Sequence, residues 1–165
     1  MTQIYYAQMQ SPIGPLFLVA DEEGLREVRF EHERRAHIPD DSWQHSAQKL
    51  AQVRRQLDAY FAGERQTFDL PLNLQGTDFQ RAVWQALTTI PYAHTTSYGE
   101  LSRQIQKPTA SRAVGAANGR NPIPIIIPCH RVIGSNGTLT GFAGGLAAKH
   151  WLLSHESKHL LFNRV

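Results

Sequence analysis

The chain has 165 residues, 41% hydrophobic and 19% charged, a balance that supports one packed domain or two small ones and excludes extended disorder. No apolar run is long enough to cross a bilayer, since the oiliest stretch, "IPIIIP", is short and bounded by prolines. The net charge of +3 hides an asymmetry: residues 1–75 carry eight Lys/Arg against eleven Asp/Glu, for −3, whereas residues 76–165 carry nine against three, for +6. A basic second half suits a polyanionic partner such as nucleic acid, and equally an ordinary solvated basic surface.

In chain order, "PLFLVAD" and "GLREVRFE" are strand-like runs joined by the polar turn "DEEG", which predicts a hairpin. Leu50, Val53, Leu57, Tyr60 and Phe61 recur at helical spacing, with Gly63 as a stop. "TFDLPLNL" then alternates, Phe68, Leu70, Leu72 and Leu74 facing one way, and Pro71 places this strand at an edge or in a linker leaving the sheet. This half holds no catalytic constellation and reads as a scaffold. A boundary near Leu74–Gly76 gives an expected division into residues 1–75 and 76–165.

The second half turns helical. "TDFQ" is a capping box from Thr77 to Gln80, followed by the stripe Phe79, Val83 and Leu87. "SYGE" predicts a second capping box, Ser97 to Glu100, opening a helix through about Gln106. After "KPTA" comes a second short helix, "SRAVGAANG", so the pair has a helix-turn-helix pattern. Ala110, Ala113, Gly115, Ala116 and Ala117 leave that second helix nearly bald, with Arg112 its one long side chain near the N-terminus. Such a helix either packs tightly inside the protein or presses into a nucleic-acid groove with its free N–H groups towards phosphate.

Cys129 is the only cysteine, so no internal disulfide can form and a reducing compartment fits. The N-terminal "MTQIYYAQMQ" lacks the basic start and apolar centre of a secretion signal, and a cytoplasmic location is expected. The thiol follows Pro122, Pro124, Pro128 and the triplet Ile125–Ile127, a segment expected to form a rigid, extended rod. Free cysteines are commonly small buried hydrophobes. Here the stiff approach, the adjoining His130 and Arg131, and the nearby "GSNG" turn argue for reactivity. An ordinary thiol is only about 3% ionised at neutral pH, so a nucleophile needs a base and the base an orienting partner. His130 can be that base. Of the carboxylates in this half, Glu100 is claimed by its expected cap and Asp78 by a first helical turn, leaving Glu156 in "KHWLLSHES". The expected relay is Cys129–His130–Glu156. His150, His155 and His159 are read as solvent-facing rather than as a zinc site, because no second cysteine or acidic ligand set accompanies them.

"NPIPIIIPCHRVIG", followed by "GFAGGLAAKHWLLSHE" and preceded by "SYGELSRQI" and "SRAVGAANGRNP", closely resembles the O6-alkylguanine-DNA alkyltransferase family across most of residues 77–157. "SPIGPL" and "LDAYFAGE" resemble its variable N-terminal domain more loosely. The resemblance implies an α/β N-terminal domain, ribonuclease-H-like with an antiparallel sheet plus helix, and a mainly α, winged-helix-like C-terminal domain containing the helix-turn-helix. It implies irreversible, single-turnover transfer of an alkyl group from O6 of guanine in DNA to Cys129, with His130 as water-linked base and Glu156 as its partner. Asn121 would tie the recognition helix to the active-site segment. Tyr98 would crowd the target phosphate and donate towards the departing guanine, and Arg112 would fill the gap left in the duplex.

By the same resemblance Ala110, Ser111, Ala113, Gly115, Ala116 and Asn118 would meet the minor groove of double-stranded DNA. The alkylated nucleotide would be flipped into a pocket formed by Pro124, Val132, Phe142, Ala143 and Gly144. Some relatives have tyrosine and serine where this chain has Phe142 and Ala143, so side-chain hydroxyl contacts are not carried over. The zinc site of some relatives needs cysteines that this chain lacks, and a monomer without metal or cofactor is expected. A thiol hydrolase using the same trio and a non-catalytic lesion-binding module are the rival readings.

Overall fold

The computed structural model describes residues 2–31, 39–134, 137 and 141–162, the side chains of the last two excepted. The "GSNG" turn therefore lies largely outside the described residues. The chain divides into two compact units, residues 1–75 and 76–165.

The first unit is built on a four-stranded sheet in the order β3-β2-β1-β4. β1 (Tyr5–Met9), β2 (Leu16–Asp21) and β3 (Gly24–Phe30) form an antiparallel meander, and two-residue β4 (Gln44–His45) joins β1 in parallel at the edge. The predicted hairpin is β2–β3. β2 is an inner strand, and every residue of it is buried, which its unbroken apolar run "LFLVA" allows. The short β4 and the alternating β1 carry weaker patterns, and the sequence reading did not find either. α1 (Ala51–Phe61) presents Val53, Leu57 and Tyr60 inward, and Gly63 follows at φ 78° as its stop.

"TFDLPLNL" is not a strand of the sheet. Pro71 has no N–H to give, so the segment runs past β3 making only one isolated bridge, Leu25 with Leu72. The Leu25 N–H donates to the Pro71 carbonyl at 2.9 Å, and the Asn73 N–H to the Leu25 carbonyl at 2.8 Å. This close approach is why residue 24 is glycine: a Cβ there would stand 2.5 Å from the Pro71 oxygen.

The second unit is mainly helical. α2 (Asp78–Leu87) opens on the reciprocal cap, the Gln80 N–H donating to Thr77 Oγ1 at 3.1 Å and the Thr77 N–H to Gln80 Oε1 at 3.0 Å. Its Trp84 indole N–H donates to the Ala117 carbonyl at 2.9 Å, locking α2 onto α4 (Ser111–Gly119). α3 (Tyr98–Gln104) and α4 form the helix-turn-helix, and α5 (Leu146–Phe162) closes the unit. Ser102 and Lys107 fix the turn between α3 and α4 through reciprocal hydrogen bonds. The second expected capping box forms only in half. The Ser97 hydroxyl accepts from the Glu100 N–H, but the Glu100 side chain turns to Arg103, one turn along the same helix face. β5 (Thr96–Ser97) and β6 (Val132–Ile133) pair in parallel and bring the start of α3 beside the segment that follows Cys129.

Candidate active site

The segment before the thiol folds back on itself instead of running as an extended rod. The Ile127 N–H donates to the Ile123 carbonyl at 2.9 Å, which closes a turn through Ile125 at φ 76°. A β-branched residue in the left-handed region carries strain of about 1–3 kcal/mol that the surroundings must offset. Asn121 supplies part of that support. Its amide donates to the Ile127 carbonyl at 2.7 Å and accepts from the Ile123 N–H at 2.9 Å. Residues 123–132 are all buried. Cys129 therefore stands at the end of a closed, apolar turn, 4% exposed, as the first residue of a single 3-10 turn, Cys129–Arg131.

His130 and Glu156 meet in the interior, both with no exposed side-chain surface, His130 Nε2 lying 2.6 Å from Glu156 Oε2. Glu156 also accepts from Arg131 Nε at 2.9 Å, from Arg131 Nη2 at 3.0 Å and from the Ala93 N–H at 3.1 Å. Arg131 is held in turn by the Ile90 carbonyl at 2.7 Å and lies over the Tyr92 ring. Burial alone would raise the Glu156 pKa, but the hydrogen bonds and charges of His130 and Arg131 outweigh it and hold the carboxyl well below its usual range. Burial pushes the His130 pKa below its ordinary value, Glu156 opposes this, and the charges of Arg131 and Lys149 add to it. Burial beside Glu156 lifts the Tyr92 phenol to about 12, so it stays neutral.

These conditions fix the tautomer of His130. An ionised Glu156 can only accept, so Nε2 carries the proton and Nδ1 is left with its lone pair. His130 Nδ1 is buried and makes no hydrogen bond among the described residues. A neutral imidazole oriented by a carboxylate, with its basic nitrogen unsatisfied and a thiol one residue away, is equipped to take a proton.

On α4, Ser111, Arg112, Ala113 and Ala116 face solvent, and no side chain caps the helix at Ala110. Val114, Ala117 and Asn118 turn inward, Asn118 only 5% exposed, so it does not share the exposed face of the other expected DNA contacts. A Cβ at Gly115 would lie 3.7 Å from the Tyr98 ring, an ordinary contact, so packing within the unit does not require glycine there. The same contact sets Tyr98 against the bald helix. Of the expected pocket residues, Pro124 and Val132 are buried, and the Phe142 ring stands edge-on to His130 with centroids 6.5 Å apart. Ala143 is exposed and Gly144 intermediate, both in a turn before α5.

Residues 78–158 match the DNA binding domain of 6-O-methylguanine DNA methyltransferase, and residues 4–74 match its ribonuclease-like domain. The methylated-DNA–protein-cysteine methyltransferase of Methanosarcina acetivorans is 53% identical over 154 residues, covering 93% of this chain and 98% of that protein. The chain belongs to the 6-O-methylguanine DNA methyltransferase family. Mycobacterium tuberculosis OGT, solved in complex with DNA, matches with a TM-score of 0.88 and 48% identity over 94% of each chain. The M. tuberculosis O6-methylguanine methyltransferase matches with a TM-score of 0.85 and 46% identity, over 97% of this chain and 99% of that one.

The methyltransferase fold has two domains, a ribonuclease-like sheet domain followed by a helical DNA-binding domain, and so has this chain. Several groups at its centre escaped the sequence reading. Arg131 was counted only as a neighbour of the thiol, and its part in holding Glu156 with two hydrogen bonds was missed. Ala93 and Lys149 carried no local signal, since a backbone N–H at φ 65° and a buried amine gain meaning only through distant partners. His155, expected at the surface, is only 7% exposed and stacks on Trp151 at 4.6 Å, because α5 turns that face inward.

Proposed function

We propose that this methyltransferase repairs DNA directly, Cys129 accepting the methyl group from O6 of a guanine and keeping it. The reading rests above all on the buried His130–Glu156 pair, with His130 Nδ1 unsatisfied immediately after the only cysteine. The thiol passes its proton to Nδ1, directly or through a water, while Nε2–H stays on Glu156. The thiolate then attacks the methyl carbon in line, an S–C bond forms and the C–O6 bond breaks. The electron pair stays with the guanine, which takes up one proton, so the products are S-methylcysteine and neutral guanine. No group in this scheme removes the methyl from sulfur, so each chain acts once.

The DNA partner follows the family and the DNA complex of the M. tuberculosis relative. A base within the stack is unreachable by a buried thiol, so the nucleotide is swung out. The exposed small side chains of α4 suit close approach along the minor groove, with Arg112 filling the vacated space. Tyr98, against Gly115, is suited to crowd the phosphate of that nucleotide and to donate to the leaving guanine. Pro124, Val132, Phe142, Ala143 and Gly144 would border the base, and Asn121 would keep the turn that carries Cys129 closed. In this reading residues 76–165 bind DNA and carry the chemistry of a cytoplasmic monomer, and residues 1–75 serve as scaffold.

Exchanging Cys129 for Ala should abolish transfer from an O6-methylguanine duplex while DNA binding persists. Arg112→Ala should slow reaction with duplex and spare reaction with free O6-methylguanine base. Transfer by the Cys129→Ala protein would overturn the reading, and equal losses on duplex and free base would remove the role given to Arg112.

A further inference from the structure

α4 has little packing to hold it in place. Its outer face is bare, with Ala113, Gly115 and Ala116, and its inner face is nearly as poor, because Val114 is the one large apolar side chain among the buried Val114, Ala117 and Asn118. A helix of nine residues draws its stability from tertiary packing rather than from propensity. Small side chains allow close approach to a partner, and they also remove the interlocking that normally fixes a helix on its neighbours. A directional contact has to replace it.

Trp84 on α2 makes that contact. Its indole, only 2% exposed, donates to the Ala117 carbonyl at 2.9 Å in a buried hydrogen bond. Ala117 lies in the last turn of α4, where carbonyls run out of partners along the helix, and the indole shares this carbonyl with the Arg120 N–H at 3.1 Å. A glycine seats the indole in turn, since a Cβ at Gly76 would stand 2.6 Å from the ring. We propose that Trp84 is a positioning residue for DNA, its indole N–H fixing the C-terminal end of α4 so that the bare face of the helix is held ready for the duplex. The dry surroundings strengthen the bond. The turn that carries Cys129 is closed separately, by the bonds of Asn121 to Ile123 and Ile127. Trp84 therefore acts on the approach of duplex and leaves the chemistry at sulfur alone.

This rests on α4 being the helix that meets DNA. Trp84→Phe keeps an aromatic ring in the core and removes the N–H. It should weaken duplex binding, and transfer from dilute O6-methylguanine duplex, about fivefold, the factor carried by one buried hydrogen bond. Raising the duplex concentration should restore the rate, and reaction with free O6-methylguanine base should stay within about twofold of wild type. Amide hydrogen exchange in the DNA-free protein should quicken in α4 and stay unchanged in α5. Gly76→Ala, which pushes on the indole while Trp84 is intact, should reproduce these effects. Leu87→Val, a plain core defect on the same helix, should lower the melting temperature and leave the ratio of duplex to free-base reaction at the wild-type value. Equal losses on duplex and free base, exchange that quickens alike in α4 and α5, or the same duplex-selective loss in Leu87→Val would overturn the proposal. If exchange quickens in α4 alone but the wild type transfers no methyl from duplex, the anchor stands and the repair reading fails.

Discussion

Glu156 accepts hydrogen bonds from His130, from Arg131 twice and from the Ala93 N–H, all inside the protein. Glu156→Gln keeps the shape but leaves Arg131 buried without its counter-charge. Urea unfolding should show a loss of about 3–5 kcal/mol, and a loss within the about 1 kcal/mol of a surface pair would contradict this account. Acid should act on the same centre. His130 titrates below its ordinary 6.5 in the fold, so below that pH the unfolded chain binds the proton first and stability falls. Glu156, held below its ordinary 4.5, adds a second loss as pH falls through the carboxylate range. Melting temperature should therefore decline in two limbs on acidification, and His130→Gln should remove the upper one. In the sequence, Glu156 stood out because only Asp78 and Glu100 competed with it in this half. One premise of that elimination fails, since Glu100 pairs with Arg103 and not with its own N-cap. Lys149 and Ala93 were illegible because neither residue type nor spacing marks a charge or an N–H that acts across the fold.

At the scale of elements, α4 separates stability from recognition. Gly115 is not needed by the interior, where a methyl group would meet the Tyr98 ring at an ordinary 3.7 Å. Gly115→Ala should stabilise the protein by about 0.5–1 kcal/mol through helix propensity alone, while weakening duplex binding if the helix face approaches DNA. Unchanged affinity would show that this face stays clear of the duplex. The helices themselves were legible from caps and spacing, Thr77 with Gln80 above all. The proline-rich approach to Cys129 was not. Its β-branched residues favour extension, but the Asn121 hydrogen bonds close a turn that only tertiary contacts can hold. In "TFDLPLNL" the alternation was legible, and of the two places Pro71 allowed, an edge or a linker leaving the sheet, the segment takes the second, with a single bridge to the sheet.

For the whole molecule, charge and chemistry fall in the same half, +6 in residues 76–165 against −3 before them. Affinity for undamaged duplex should fall linearly with the logarithm of salt concentration, and Arg112→Ala should reduce that slope by about one if the side chain neutralises a phosphate. The two-part division was legible as a change of periodicity near Gly76, whereas the small edge strand β4 had too few residues to announce itself. The central claim, that the sole sulfur keeps what it takes, is tested most directly by intact mass and peptide mapping after reaction with excess O6-methylguanine duplex. The expected result is the mass of a single CH2 added per chain, located on Cys129, with repaired guanine equal to protein and no further turnover. Unmodified Cys129 beside repaired DNA, or many repaired guanines per chain, would contradict it.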